Sequence, residues 1–270
     1  MSDAPRPARP RVTLPDPRSA TLISLATIAA LLLLWWLATE RRWLPPLFLP
    51  HPFVVAERLW DGFHTPIGDA TLDGHIALSL FRVLSAFGLA CLTAIPIGIA
   101  MGVSRLARGV FDPPIEFYRP LPPLAYLPLV VIWFGIEEAS KVVLIYLACF
   151  APLALAARAG VRSVAPEQVN AALSLGASRW QLIRHVVLPA AMPEILTGMR
   201  IALGFGWTTL VAAEMVAANV GVGQMVLNAS NFLRTDLVVM GIVVIGAFAY
   251  LFDLLMRLAE RRLVPWKGRA

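Results

Sequence analysis

Residues 170–176 read Asn170-Ala171-Ala172-Leu173-Ser174-Leu175-Gly176, and after nine residues comes Val186-Val187-Leu188-Pro189. The surrounding segment, 158–193, is too polar to cross a bilayer and too patterned to be a linker. Pro166 suits the first position of a helix, and Glu167 puts a favourable negative charge in its first turn. Val169, Ala172, Leu173 and Leu175 supply apolar positions. Gly176 then accepts the positive φ that ends many helices. Ser178 has the side chain to cap a second helix. That helix carries Trp180, Leu182, Ile183, Val186 and Val187 and is expected to end at Leu188-Pro189. The spacing predicts two short helices at an angle, pivoting on one glycine.

Apolar runs flank this segment on both sides, at 142–157 and 196–213. A bilayer-spanning helix needs about 20 mostly apolar residues. Further candidates are 21–39, 86–103 (entered through 76–85), 121–134 (extending back to about residue 115) and 237–256. The expected fold is all-α: a polytopic membrane protein with six transmembrane helices. Of the 270 residues, 58% are hydrophobic and 15% charged. Soluble domains run at about 45–50% and about 25%. The composition excludes a disordered chain and argues against a soluble enzyme.

Orientation follows the bias of Lys and Arg. With the N-terminus inside, fifteen Lys and Arg fall on inner segments and five on outer ones. Both termini are therefore expected in the cytoplasm. The first span stops at Glu40-Arg41-Arg42-Trp43, an interfacial pattern. The organisation read from this is a disordered tail, 1–20, rich in Pro and Arg, then the first span with its outer loop, 21–76. A permease domain, 77–260, contains the loop 158–193, and a tail, 261–270, closes the chain. A short surface helix is expected at 52–61. The net charge of +6 is distributed over inner segments and does not gather on one face, so no nucleic-acid partner is expected.

Cys91 and Cys149 sit in apolar runs, and the four histidines lack metal-site spacing, so neither a disulfide framework nor a metal site is expected. No cofactor is implied. A phosphate-cradling G-x-x-x-x-G-K-[ST] loop is missing, since the only lysines, Lys141 and Lys267, follow Ser140 and Trp266. ATP hydrolysis is therefore expected from another chain, and this one is not expected to be an enzyme.

The stretch that opened this section resembles the EAA loop of ABC-importer permeases: E-A-A, three residues, G, nine residues, I, any residue, L-P. Asn170 stands at the Glu of that pattern and Val186 at its Ile. Ala171, Ala172, Gly176, Leu188, Pro189 and both spacings match. The stretches 95–102, 116–125, 127–136, 193–201 and 209–214 are similar to those of the taurine, sulfonate and nitrate permeases, so the likeness covers roughly 47–266. The resemblance implies a type I ABC-importer permease fold in the bacterial inner membrane. It implies a coupling loop of Asn170, Ala171, Ala172, Gly176, Ala177, Ser178, Arg179, Leu188 and Pro189 that docks on a pair of ATPase subunits. It further implies a periplasmic binding protein above and a second permease copy alongside. Taurine is the expected substrate, with other aliphatic sulfonates or nitrate as the alternatives. An ion-coupled secondary transporter is the reading from a different class. It would need convergent intramembrane acids or inverted halves, which the sequence lacks.

Glu116 and Arg119 are three apart, a spacing that lets a helix pair them. Pro113, Pro114, Pro120, Pro122, Pro123 and Pro128 interrupt regular helix around them. In a bilayer, irregular backbone survives only inside protein or along a cavity. Tyr118 and Arg119 therefore read as part of a translocation path or gate, or as a structural bend with an internal ion pair. An arginine there suits an anionic sulfonate. Trp133 and Phe134 read as interfacial anchors or gate residues. Glu214, at the outer end of the fifth span, reads as a gate or binding-protein contact, or as a surface cap. Asp253 and Arg257 are expected to pair at i,i+4. Arg82 and Arg200 are expected to snorkel to headgroups.

Overall fold

The computed structural model describes residues 17–265, with side chains from residue 22 onward. It is all α-helical apart from one isolated bridge between Ile67 and Ala70. Most of the expected tail, 1–20, and the end of the 261–270 tail lie outside the described residues, while residues 17–20 already belong to the first helix.

The chain divides into two compact units, Met1–Val54 and Val55–Ala270. In the first, α1 (Pro17–Glu40) is followed by a turn in which Trp35 Nε1 donates to the Pro50 carbonyl at 3.0 Å. Helix α2 (Pro52–Gly62), of which residues 55–62 belong to the second unit, is the expected short helix, one residue longer at its end.

The second unit is built on three long helices. They are α3 (Leu72–Val103), α6 (Glu138–Arg162) and α9 (Leu188–Ala217), with α6 packed between the other two. Ala90 and Ala94 of α3, Ala154 and Ala157 of α6 and Ala202 of α9 are all fully buried. Small residues at these positions let the backbones approach closely, which in lipid takes the place of a hydrophobic driving force. Leu144, Ile145, Leu153 and Leu210 fill the rest of the interior. Helix α4 (Arg105–Tyr118) lies on α3, and α5 (Pro123–Phe134) lies on α6 and α9. Helix α7 (Pro166–Ser174) and α8 (Arg179–Leu182) form the polar segment between α6 and α9. Beyond α9, α10 (Val222–Asn231) and α11 (Thr235–Leu263) pack on each other and on α9.

Among the described residues, five helical stretches are long and apolar enough to cross a bilayer: Leu22–Glu40, Leu72–Val103, Glu138–Arg162, Arg179–Ala217 and Thr235–Leu263. The remaining expected span is corrected. Residues 115–134 are not one helix, because α4 ends at Tyr118 and α5 starts at Pro123 after a break over 119–122. The cause is Pro120, Pro122 and Pro123, which withhold backbone donors and cannot continue the preceding turn. The 12 residues of α5 extend about 18 Å, short of the roughly 30 Å hydrocarbon core.

One further expectation changes. The second polar helix does not stop at Leu188-Pro189; α8 runs through a π turn, Ile183–Val187, directly into α9. Pro189 cannot donate to the carbonyl of residue 185, and its ring would clash there in a regular helix. The wider π turn lies where that clash would fall. The connection between α9 and α11 contains the ten-residue α10.

Candidate functional site

The Gly-pivoted pair of helices forms as the residues dictate. Helix α7 ends at Ser174 with Leu175 as its C-cap, and Gly176 follows with φ +78°. Gly176 N–H donates to the Leu173 carbonyl at 2.9 Å, and Ala177 N–H donates to the Ala172 carbonyl at 3.1 Å. This pair of bonds is the Schellman closure, which needs a left-handed residue at the pivot. Ser178 then opens α8 with a capping box. Its hydroxyl accepts from Gln181 N–H at 3.3 Å, and Gln181 Oε1 accepts from Ser178 N–H at 2.8 Å.

The pair is anchored from below by Ala157, Val161, Val187, Ala191 and Ile195, with Val164, Leu182 and Leu188 packed on them. Leu188 and Pro189 are therefore half-buried in the joint with α9, while Ala172 and Ala177 are half-buried in the turn. Asn170, Ala171, Gly176, Ser178 and Arg179 face outward. So do two large apolar side chains, Leu175 at 89% exposure and Trp180 at 68%. Exposed apolar side chains on a polar segment suit burial against another protein.

The second set of expected residues divides. Tyr118 and Arg119 line a cavity of about 580 Å³ at the α4–α5 break, walled otherwise by α6 and α9. Glu116 lies beside it and pairs with Arg119 at 3.7 Å and with Arg158 of α6 at 3.5 Å. Arg158 is also held by Asp112. Trp133 and Phe134, at the far end of α5, are exposed and do not line this cavity.

Glu214 belongs elsewhere, at the end of the bundle opposite α7 and α8, and it is no surface acid: it is fully buried. Arg82, 1% exposed, donates from Nη1 to Glu214 Oε1 at 2.7 Å. Arg82 also donates from Nε and Nη2 to the two oxygens of Glu138 at 2.6 and 2.7 Å, and to the Val220 carbonyl at 2.8 Å. Glu214 further accepts from Ser79 Oγ at 2.6 Å and from Gly223 N–H at 2.8 Å. Lys141 reaches Glu138 at 3.1 Å. His75 bonds the Ile67 carbonyl at 2.9 Å and the Gly221 backbone at 3.0 Å. This network ties α3, α6, α9 and the start of α10 together.

The snorkelling expected of Arg82 is therefore replaced by a buried ion pair. Arg200 likewise pairs with Asp253 at 3.0 Å and Glu260 at 3.6 Å. The expected Asp253–Arg257 pair is present at 2.6 Å. Sequence reasoning missed the Arg82 network, although His75, Ser79 and Arg82 at i, i+4 and i+7 already mark one polar stripe on an apolar helix. Among the described residues, no group of three or more His, Cys, Asp or Glu could hold a metal ion.

A bundle of apolar helices with one Gly-pivoted, apolar-crowned helix pair at one end is the architecture of an ABC-importer permease. The chain belongs to the family of binding-protein-dependent transport system inner membrane components, which residues 94–265 match. It is similar to the taurine transport system permease protein TauC of Escherichia coli (strain K12), with 55% identity over 94% of this chain and 92% of that one. It is also similar to the putative aliphatic sulfonates transport permease protein SsuC of the same organism, at 36% identity over 86% of this chain and 87% of the other. The fold is similar to the inward-facing MetNI methionine ABC transporter, with a TM-score of 0.56 and 19% identity over 70% of this chain and 92% of that one. The protein is thus a multi-pass permease subunit of an ABC importer in the inner membrane. It is not itself an enzyme, and its family works with an ATPase and a substrate-binding partner.

Proposed function

We propose that this permease imports taurine, working as a homodimer in the lipid bilayer with both termini in the cytoplasm. The observation that carries the substrate reading is the high identity to the taurine permease, well above that to the aliphatic-sulfonate permease. Two copies would each present one helix pair, Asn170 to Pro189, to one subunit of an ATPase pair. Leu175 and Trp180 would enter a cleft of that subunit, and Arg179 would meet its acidic rim. Closing of the ATPase dimer would draw the two helix pairs together and turn the bundle from inward-facing to outward-facing. A periplasmic binding protein would deliver substrate at the end marked by Arg82 and Glu214. The path would run past Tyr118, Arg119 and Glu116 at the α4–α5 break, with Trp133 and Phe134 at the far end of α5 as gate candidates.

Asn170 carries no carboxylate, so docking in this chain would rest on apolar burial and on Arg179 and Arg184. Labelled-taurine uptake by proteoliposomes containing this chain, its ATPase and its binding protein tests the reading. ATP-dependent uptake of taurine in preference to nitrate and longer alkanesulfonates is expected. Uptake of nitrate or a longer sulfonate with none of taurine defeats it.

A further inference from the structure

We infer that the cavity at the α4–α5 break is a subsite at which the permease itself holds the anionic head of a short aliphatic sulfonate. The inference rests on the sulfonate-importer reading for the identity of the anion, but its geometry stands apart from it. Among the described residues, two charged side chains line the cavity, Arg119 and Arg158, and no carboxylate does. Their acidic partners, Glu116 and Asp112, approach from outside the lining. The wall is therefore positive toward its interior.

Tyr118 also lines the cavity, and its hydroxyl is buried without a hydrogen-bond partner. A buried donor without an acceptor is costly, and an oxygen of a bound ligand satisfies it. Helix α5 starts at Pro123 on the rim of the same cavity. The positive end of its dipole adds to the field of the two arginines. The remaining wall includes Leu147, Leu155 and Phe205, a surface that suits methylene groups and has nothing for a bare inorganic anion.

The two arginines differ in freedom. Arg158 is 19% exposed and held by Asp112 as well as Glu116, so it serves as a fixed charge. Arg119 is 58% exposed and, among the described residues, its ion pair is with Glu116 alone, at a loose 3.7 Å. A sulfonate offers three oxygens to the planar donors of a guanidinium. On entry it displaces Glu116 from Arg119, while Tyr118 donates to a further oxygen. Substrate binding thereby loosens a contact within the last turn of α4.

The test uses the intact permease–ATPase complex in lipid nanodiscs without the binding protein, with labelled taurine and labelled ethanesulfonate as probes. Both are expected to bind. Arg119→Gln is expected to weaken binding at least tenfold, Tyr118→Phe about fivefold, and Arg119→Lys less than Arg119→Gln because it keeps the charge. Co-purification with the ATPase reports that each variant is assembled. In proteoliposomes, the same variants are expected to lower maximal uptake and leave the half-saturating concentration of loaded binding protein unchanged. Wild-type complex that transports taurine but binds neither probe without the binding protein overturns the subsite and leaves the substrate reading standing. Variants that bind and transport as wild type do the same. A complex that transports no taurine overturns the substrate reading, and ethanesulfonate binding in wild type against Arg119→Gln still decides the subsite.

Discussion

Arg82 and Glu214 meet inside the bundle, Nη1 to Oε1 at 2.7 Å, although 132 residues separate them in the chain. Both are almost without solvent contact, with 1% and 0% of their side chains exposed. Taking one partner from a buried, hydrogen-bonded pair leaves the other charge stranded and typically costs about 3–5 kcal/mol. Glu214→Ala is therefore expected to lower the melting temperature of the purified complex sharply, and Glu214→Gln less, since an amide keeps part of the bonding. In a double-mutant cycle with Arg82→Ala the losses should fall well short of adding. Additive losses would show that the two side chains act independently.

Gly221 seals this network. Its φ is +149°, and a Cβ there would lie 2.5 Å from Glu214 Oε1 and 2.7 Å from Arg82 Nη1. Gly68 provides the contrast, with φ +71° and nothing within 4 Å of an added Cβ. Gly68→Ala is expected to cost only backbone strain, about 1 kcal/mol, while Gly221→Ala adds steric and electrostatic disruption. Thermal melts of the two variants should rank them in that order; equal losses would mean the network gives way freely.

At the other end, Gly176→Val puts a β-branched residue at φ +78°, where strain is of order 1–3 kcal/mol. The closure by Gly176 and Ala177 should open, and co-purification of the ATPase should be lost while membrane insertion persists. Gly176→Asn should retain most association, because asparagine tolerates the left-handed region. Full co-purification with Gly176→Val would remove this turn from the coupling surface.

Ser178→Ala removes the hydroxyl half of the capping box, worth about 1 kcal/mol, and leaves the half in which the backbone N–H of residue 178 donates to Gln181. Amides of 179–182 are expected to exchange faster in hydrogen-exchange mass spectrometry, with those of α6 unchanged. Unaltered exchange across α8 would mean that packing of Leu182, rather than the cap, starts the helix.

Orientation is open to direct measurement. Reporter fusions after Ala218 should read periplasmic and those after Gly176 cytoplasmic, and the opposite pattern reverses the topology.

What was legible in the sequence was local. Pro166, Gly176 and Ser178 act through their own backbone and their near neighbours, so the helix pair could be read without knowing what it packs against. Length and apolarity sufficed for the long helices on similar grounds. The break at 119–122 was half-legible: the prolines announced irregular backbone, yet the apolar run past them still suggested one span. Pro189 misled because a proline after a polar helix usually ends it, and a π turn that carries the helix through leaves no compositional mark. Arg82 and Glu214 were individually conspicuous, but their union depends on how α3 and α9 pack. Nothing in a single span reveals that, so taken alone Arg82 reads as a snorkelling side chain and Glu214 as a gate, a binding-protein contact or a surface cap. For the residues at 116–119, their place beside a cavity was readable from the prolines. That the cavity wall holds two arginines and no acid was not, because Arg158 comes from a distant helix.

The π turn has a mechanical consequence. Because α8 continues through it into α9, residues Arg179–Ala217 form one helical stretch of 39 residues, at most about 58 Å long. The proposed ATPase contact and the buried Glu214 thus sit near the two tips of a single lever. A tilt of about ten degrees about one tip sweeps the other through about 10 Å. Arg82, gripping Glu214 from α3, ties the far end of that stretch to a second helix, so a push at the proposed ATPase contact would have one continuous helical path to the opposite end of the bundle.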